Sequence, residues 1–354
     1  MWEVNTNLSV KYNIHKVSDA FDFNIIPSKR WIVVIDQTVY DLYKDDLSYT
    51  ELLVIKATEA DKSLDTAKKV LEFFEQKNIL RRSEPVIAIG GGVLLDIVGF
   101  CCSMYRRGIP YVRIPTTLLG IVDASVGAKT SVNHFGRRNR IGSYYPPLFT
   151  LIDTRFIKTQ DHREIASGVA EIIKLGIILD KELFELLEQE PQTLLKKRFQ
   201  NSELANSIID KAISVMIKEL SHNLWEEVLT RPVDFGHSFS PMIEMKNVTS
   251  LLHGEAVILD CLLSCCISNL RGYLSNDCLQ RVFKLVKNWD LPVSHNDFYN
   301  IDLLWSGLKD TTTHRNGNQY VPIPVTIGEC TIINDISYIE VQRACDKMKG
   351  YRNI

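Results

Sequence analysis

The run Pro85-Val-Ile-Ala-Ile89 passes without a break into Gly90-Gly-Gly92 and then into an apolar segment that turns helical near Val93. A short continuous apolar stretch of this kind reads as a strand buried on both faces. Glycines where such a strand meets a helix allow close approach to the backbone N–H groups. The triplet is either a tight turn or the seat of a pyrophosphate, and it does not follow the G-x-G-x-x-G spacing. Two earlier runs, Arg30-Trp-Ile-Val-Val-Ile-Asp36 and Glu51-Leu-Leu-Val-Ile-Lys56, read as further parallel strands. Arg113-Ile-Pro-Thr-Thr117 reads as a fourth, ending in hydroxyls. Leu64, Ala67, Val70, Leu71 and Phe74 fall at helical spacing between them. Strands alternating with helices predict an α/β sheet.

Beyond Asp153 strand-like runs almost vanish, and residues 165–179, 183–187, 204–220, 255–270 and 279–286 carry helical periodicity. The expectation is an α/β domain over residues 1–153 and a mainly α-helical domain over 154–354. A small hairpin is expected from Tyr320-Val-Pro-Ile-Pro-Val-Thr-Ile327 and Cys330-Thr-Ile-Ile333. A length of 354 residues suits two domains. A net charge of -2 argues against a nucleic-acid partner. The most apolar window, residues 256–267, is short for a membrane span and carries Asp260, so no membrane partner is expected. Met1-Trp-Glu-Val-Asn-Thr-Asn7 shows no leader pattern. Eight cysteines include the adjacent pairs Cys101-Cys102 and Cys265-Cys266, which suit apolar packing in a reducing cytoplasm.

Chemistry concentrates in a few stretches. Asp234-Phe-Gly-His-Ser-Phe-Ser-Pro241 and Leu252-His-Gly-Glu255 set His237 and His253 sixteen residues apart, each beside a glycine. Imidazole is a common ligand for a catalytic metal. In Gly168-Val-Ala-Glu-Ile-Ile-Lys174, Glu171 and Lys174 share a helical face. They form either a surface ion pair or, with Glu171 as third ligand, part of a metal site with open positions. Asp123-Ala-Ser-Val-Gly-Ala-Lys129 offers an acid and a cation that could pair on the surface. Asn133-His-Phe-Gly-Arg-Arg-Asn-Arg140 reads as a cation-rich polar loop, either phosphate-binding or merely solvated. Thr311-Thr-Thr-His-Arg-Asn-Gly317 reads as a second polar loop or a solvated turn.

Taken in order, Gly90-Gly-Gly-Val-Leu-Leu-Asp96, Arg107-Gly108, Pro115-Thr-Thr-Leu118, Val122-Asp-Ala-Ser-Val-Gly-Ala-Lys129, Ala170-Glu-Ile-Ile-Lys174, Phe235-Gly-His237 and Leu252-His-Gly-Glu255 resemble the dehydroquinate synthase superfamily, the sugar phosphate cyclases. The resemblance spans nearly the whole chain. It implies an NAD-binding α/β domain, a helical domain, a divalent metal, zinc or cobalt, and a homodimer. Asp36, Glu59 and Lys62 would contact the adenosine side of NAD. Gly91, Gly92, Asp96, Thr116 and Thr117 would hold its pyrophosphate and ribose, with Asp123, Lys129, Phe156 and Thr159 nearer the nicotinamide. Glu171, His237 and His253 match the family's metal ligands, and Lys174 and Asn139 its substrate contacts.

Departures narrow the substrate. Dehydroquinate synthases typically read Asn-Phe-Gly-His-Thr-x-Gly-His, whereas this chain has Asp234 and Pro241 at the Asn and second His, and the Met216 region lacks a matching lysine for a substrate carboxylate. The motif is instead similar to the 2-epi-5-epi-valiolone synthases, with Arg231-Pro-Val233 before it, Glu244-Met245 after it, and Asn139-Arg-Ile-Gly-Ser-Tyr-Tyr-Pro-Pro147 and Asn223-Leu-Trp-Glu226 in agreement. Arg138 stands where that group has Lys, and Tyr145 where it has His. The resemblance implies cyclisation of sedoheptulose 7-phosphate by transient NAD oxidation, β-elimination of phosphate, reduction and intramolecular aldol closure. Lys174, Lys129, Arg138 and Arg140 form the expected phosphate pool, with Asn139 as a neutral donor and His314 and Arg315 as a further pair. Asp234 would accept sugar hydroxyls. The rivals are 2-epi-valiolone and desmethyl-4-deoxygadusol synthases; 2-deoxy-scyllo-inosose synthase is opposed by Pro241. A metal-dependent polyol dehydrogenase and a non-enzymatic binding protein stand further off.

Overall fold

The computed structural model describes residues 3, 10–47 and 51–352, so the expectation made for residues 1–7 falls, apart from Glu3, outside the described residues. The chain divides into two compact units, Met1–Pro115 with Ala128–Val132 and Ile141–Asp153, and Thr116–Gly127 with Asn133–Arg140 and Thr154–Ile354.

In the first unit, β1 (Asn13–Lys16), β2 (Ile32–Asp36), α1 (Gln37–Tyr43), β3 (Leu52–Ile55), α2 (Leu64–Gln76), β4 (Val86–Gly90), α3 (Gly92–Met104) and β5 (Tyr111–Pro115) follow one another. A hairpin of β6 (Lys129–His134) and β7 (Arg137–Tyr144) precedes β8 (Phe149–Ile152). Six strands form one sheet in the order β1-β8-β5-β4-β2-β3, with every pair parallel. Residues 86–90 are all buried, as a central parallel strand requires. Val70 and Phe74 of α2 and Leu94, Leu95 and Val98 of α3 pack in the core beside the strands. The chain runs outward from β2 to β3 and in the other direction from β4 to β5. That reversal leaves a crevice at the carboxyl ends of β2 and β4, where α/β sheets bind ligands. Asp36 and Gly90 lie there, and a Cβ on Gly90 would stand 3.2 Å from the Asp36 Cβ and 2.9 Å from that of Leu94.

Residues 133–140 are not a loop. All but Phe135 and Gly136 belong to the paired strands β6 and β7, whose tip falls in the second unit and whose base falls in the first. Both faces of this hairpin tip are polar, so no apolar alternation marks it as a strand.

The second unit is built on α4 (His162–Ile178) and α9 (His253–Leu270), packed side by side. Around them lie α5 (Lys181–Leu187), α6 (Pro191–Lys196), α7 (Glu203–Leu220), α8 (Ser240–Lys246), α10 (Asn276–Asn288), α11 (Ile301–Thr313) and α12 (Tyr338–Lys349). The expected hairpin is present as antiparallel β9 (Val321–Thr326) and β10 (Glu329–Ile333), with β9 against α9. Residues 254–268 of α9 are all buried, which explains a helix apolar on every face. At 18 residues α9 is long and apolar enough to cross a bilayer, but 83% of it is buried inside the protein. The cysteine pairs are buried free thiols, as their packing reading expected.

Candidate active site

Three acceptor groups converge in the second unit. Glu171 lies mid-way along α4, buried to 1% exposure; His237 follows Gly236 in the segment before α8; His253 is the first residue of α9. Ligand atoms of all three lie within 4.8 Å of one another. His253 Nε2 is 3.1 Å and His237 Nε2 4.0 Å from Glu171 Oε1. His237 Nδ1 is 3.2 Å from the Phe235 carbonyl, to which it donates, so its Nε2 lone pair faces the cluster. His253 Nδ1 lies 2.9 Å from Glu244 Oε2, which accepts its proton in the tautomer that leaves Nε2 free, and 3.1 Å from Arg138 Nη1. Desolvation and the nearby Lys174 ammonium push the His237 pKa down to about 3, so the ring is neutral.

Two imidazole lone pairs and a carboxylate facing one another repel unless a cation lies between them. Neither Glu171 oxygen has a hydrogen bond of good geometry, although Lys174 Nζ approaches Oε2 at 2.5 Å. A divalent metal fits this nitrogen, nitrogen and oxygen set with positions to spare. Burial alone would raise the Glu171 carboxyl, yet Lys174, with His253 and His237, holds it well below the usual range. Burial alone would lower Lys174, yet Glu171 and Asp123 hold it high. The Glu171–Lys174 pair is therefore an interior one, not a surface pair. Asp123 lies in a π-helical turn, Gly120–Ala124, an element common at functional sites.

In the sequence Glu244 enters only as part of the motif that resembles the valiolone synthases, with no role of its own. A carboxylate behind a ligating histidine fixes its tautomer and orientation, and Glu244 is 4% exposed on α8, nine residues before His253. The only sequence signal was an acid inside an otherwise apolar helical turn.

Part of the proposed phosphate pool, and a neighbouring arginine outside it, are already engaged by carboxylates. Arg138 forms an ion pair with Glu244 and Arg137 with Asp310. Arg140, by contrast, faces an imidazole, 3.0 Å from His314 Nε2. Partial desolvation and Arg140 lower the His314 pKa. Asn139 holds a left-handed φ of 53° within β7, and its N–H bonds the Asn133 side chain at 2.9 Å. Asp234 is held between Arg231 at 2.9 Å and Arg315 at 3.2 Å, and Arg231 also pairs with Glu226. Of the expected loop 311–317, Thr311–Thr313 end α11 and residues 314–317 form a turn, in which Arg315, 6% exposed, is not solvated. Its guanidinium also donates to the Tyr320 carbonyl, and the cost of burying a lone charge explains both contacts.

Of the cofactor candidates, Asp36, Glu59, Lys62, Gly91, Gly92, Asp96 and Lys129 belong to the first unit. Thr116, Thr117, Asp123, Phe156 and Thr159 belong to the second. Gly91 opens α3 without a side-chain cap, leaving its first N–H groups to a ligand or water. Asp36 caps α1 through Thr38 N–H, and buried Lys62 pairs with Asp96 at 2.5 Å. Phe156 is buried, and the Thr159 hydroxyl donates to its carbonyl. Tyr145 packs in the first unit, stacked on Tyr111 and donating to the Ile109 carbonyl.

Two family profiles, 3-dehydroquinate synthase N-terminal and 3-dehydroquinate synthase C-terminal, match residues 52–167 and 168–311. A 2-epi-5-epi-valiolone synthase of Streptomyces hygroscopicus subsp. jinggangensis is 40% identical, over 97% of this chain and 88% of that one. Another of that name, from Streptomyces albus, is 44% identical over 89% of this chain and 80% of its own. The solved structure of the S. hygroscopicus synthase, which carries NAD+ and Zn2+, superposes with a TM-score of 0.96, covering 99% of each chain.

Proposed function

As a member of the 3-dehydroquinate synthase family, this chain has a scaffold for cyclitol chemistry, and we propose that it converts sedoheptulose 7-phosphate to 2-epi-5-epi-valiolone with release of phosphate. The observation that carries this reading is the convergent Glu171-His237-His253 set beside a motif in which Asp234 and Pro241 replace the groups that would serve a carboxylate substrate. Glu171, His237 and His253 would hold a zinc or cobalt ion, and the Gly91-Gly92 turn with Asp36 and Asp96 would seat NAD. When bound, the metal supplies Lewis acidity and NAD a transient hydride acceptor.

The protein's own groups do the rest. Lys174, held protonated beside Glu171, would present a cation to substrate oxygens. Asp234, paired with Arg231 and Arg315, offers acceptor lone pairs to sugar hydroxyls and would disfavour a substrate carboxylate at that position. Pro241 lies in the first turn of α8, where its missing N–H costs nothing and no imidazole remains to greet a carboxylate. Arg140, facing a neutral His314, has charge to spare for the phosphate that leaves. Phosphate elimination followed by aldol closure classes the reaction as a carbon–oxygen lyase. A homodimer in a reducing cytoplasm is the setting this reading implies.

Incubation with sedoheptulose 7-phosphate, NAD+ and a divalent cation should release phosphate and yield a C7 cyclitol identified by NMR, with no net NADH. His253→Ala should abolish this turnover. Absence of phosphate release refutes the proposal, and NADH accumulating with product would instead favour a polyol dehydrogenase.

A further inference from the structure

Asp260 is fully buried on α9, seven residues or about two turns beyond His253. Its Oδ2 accepts the backbone N–H of Phe239 at 2.6 Å and that of Ser240 at 2.7 Å. Ser264 Oγ approaches Oδ1 at 3.5 Å. Helix α8 begins after Phe239, whose side chain cannot cap, so a carboxylate on a different helix satisfies its first donors. The same flank of α9 grips the segment again at Gly236. That residue has a φ of 81°, and a Cβ on it would stand 2.8 Å from both Cys261 Sγ and Val257 Cγ1. Ser240 Oγ then closes back on the Gly236 carbonyl at 2.9 Å.

Residues 236–240 are therefore clamped to α9 at both ends, with His237 in between. We propose that Asp260 is the positioning residue that sets His237 against His253 and Glu171, so that α9, which opens with one ligand, also fixes the place of another. The two imidazole centroids stand 5.5 Å apart as a result. Burial raises the Asp260 pKa to about 6 despite its backbone donors, so the group is kept at an energetic cost that an apolar residue would avoid. This inference rests on the metal reading of Glu171, His237 and His253 and adds what holds that set in register.

The test is zinc uptake by the metal-free, full-length chain, measured by competition with a chromophoric chelator, with Tm recorded in the presence and absence of zinc. Wild type should bind one equivalent. Asp260→Asn, which keeps the volume and one acceptor, should weaken binding about 10-fold, and Asp260→Ala on the order of 100-fold. The rise in Tm caused by zinc should shrink in the same order. If the Ala variant does not fold, the Asn variant decides. A role confined to folding would lower Tm equally with and without zinc and leave affinity at the wild-type value, which would overturn the inference alone. Wild type that takes up no zinc would overturn the metal reading and this inference with it.

Discussion

Gly254 is the position where a single methyl group should do most damage. A Cβ there would stand 2.0 Å from the Ser167 carbonyl oxygen, 2.6 Å from its carbon and 2.7 Å from its Oγ. Ordinary contact begins at 3.4 Å, so the first turn of α9 would have to retreat from α4 by about 1.4 Å. The obstacle is backbone and cannot swing aside. Retreat also stretches the bond from Gly254 N–H to Ser167 Oγ, now 3.0 Å. It carries His253 away from Glu171, which lies one turn along α4 from Ser167 and 3.1 Å from the ring. Overpacking costs about 1–3 kcal/mol and a lost buried hydrogen bond about 1 kcal/mol more. For a unit of this size, Gly254→Ala should lower the Tm of the metal-free protein by roughly 5–15 °C. Zinc affinity in the chelator competition should fall by at least ~10-fold, since one ligand has moved. Adding Ser167→Ala relieves only the Oγ contact and should restore neither quantity. A Tm within about 1 °C of wild type, or full rescue by Ser167→Ala, refutes the backbone-clash argument.

Lys174→Met removes the cation that compensates Glu171 in the interior, and should cost the metal-free protein about 3–5 kcal/mol in urea unfolding. Saturating zinc should recover much of that loss by neutralising the same carboxylate; unchanged metal-free stability would contradict the pairing. Arg140→Gln removes a cation that disfavours protonated His314. The His314 pKa, lowered first by desolvation and then by Arg140, should climb toward its ordinary value in an NMR titration. An unmoved titration would break the link between the hairpin and that imidazole.

Much of the first unit was legible because its central strands are buried on both faces. The runs now seen as β2 and β4 are apolar and buried, whereas β3 is an apolar edge strand of intermediate exposure and β5 carries the buried Arg113. β1 and β8 escaped notice: Asn13-Ile-His-Lys16 is a polar edge strand, and β8 starts just after Pro146-Pro-Leu148. The cation-rich hairpin was hidden for the opposite reason, since polar residues on both faces carry no period. α11 was masked by its end, Thr311-Thr-Thr313, three β-branched residues that pattern reading assigns to a loop. The metal set was legible as spaced motifs, but only their convergence distinguishes a ligand from an ion-paired glutamate. Glu244 and Asp260 act across nine and about twenty residues through packing, and no local pattern announces such partners.

The apolar character of α9 acquires a physical meaning in this light. A helix that contributes His253 at its first residue, meets α4 at Gly254, and seats Gly236 and the start of α8 farther along must have neighbours on every side. A polar face would leave one of those contacts to solvent and free the corresponding ligand to drift. Burial of residues 254–268 makes the helix resemble a membrane span in composition while making it the reference against which His237, His253 and Glu171 are aligned. Asp260 is tolerated deep within it because two backbone donors meet its carboxylate, and those donors belong to the segment that carries His237. Volume changes at Val257 or Cys261, which touch Gly236 rather than the ligands, should therefore be felt in metal affinity as well as in stability.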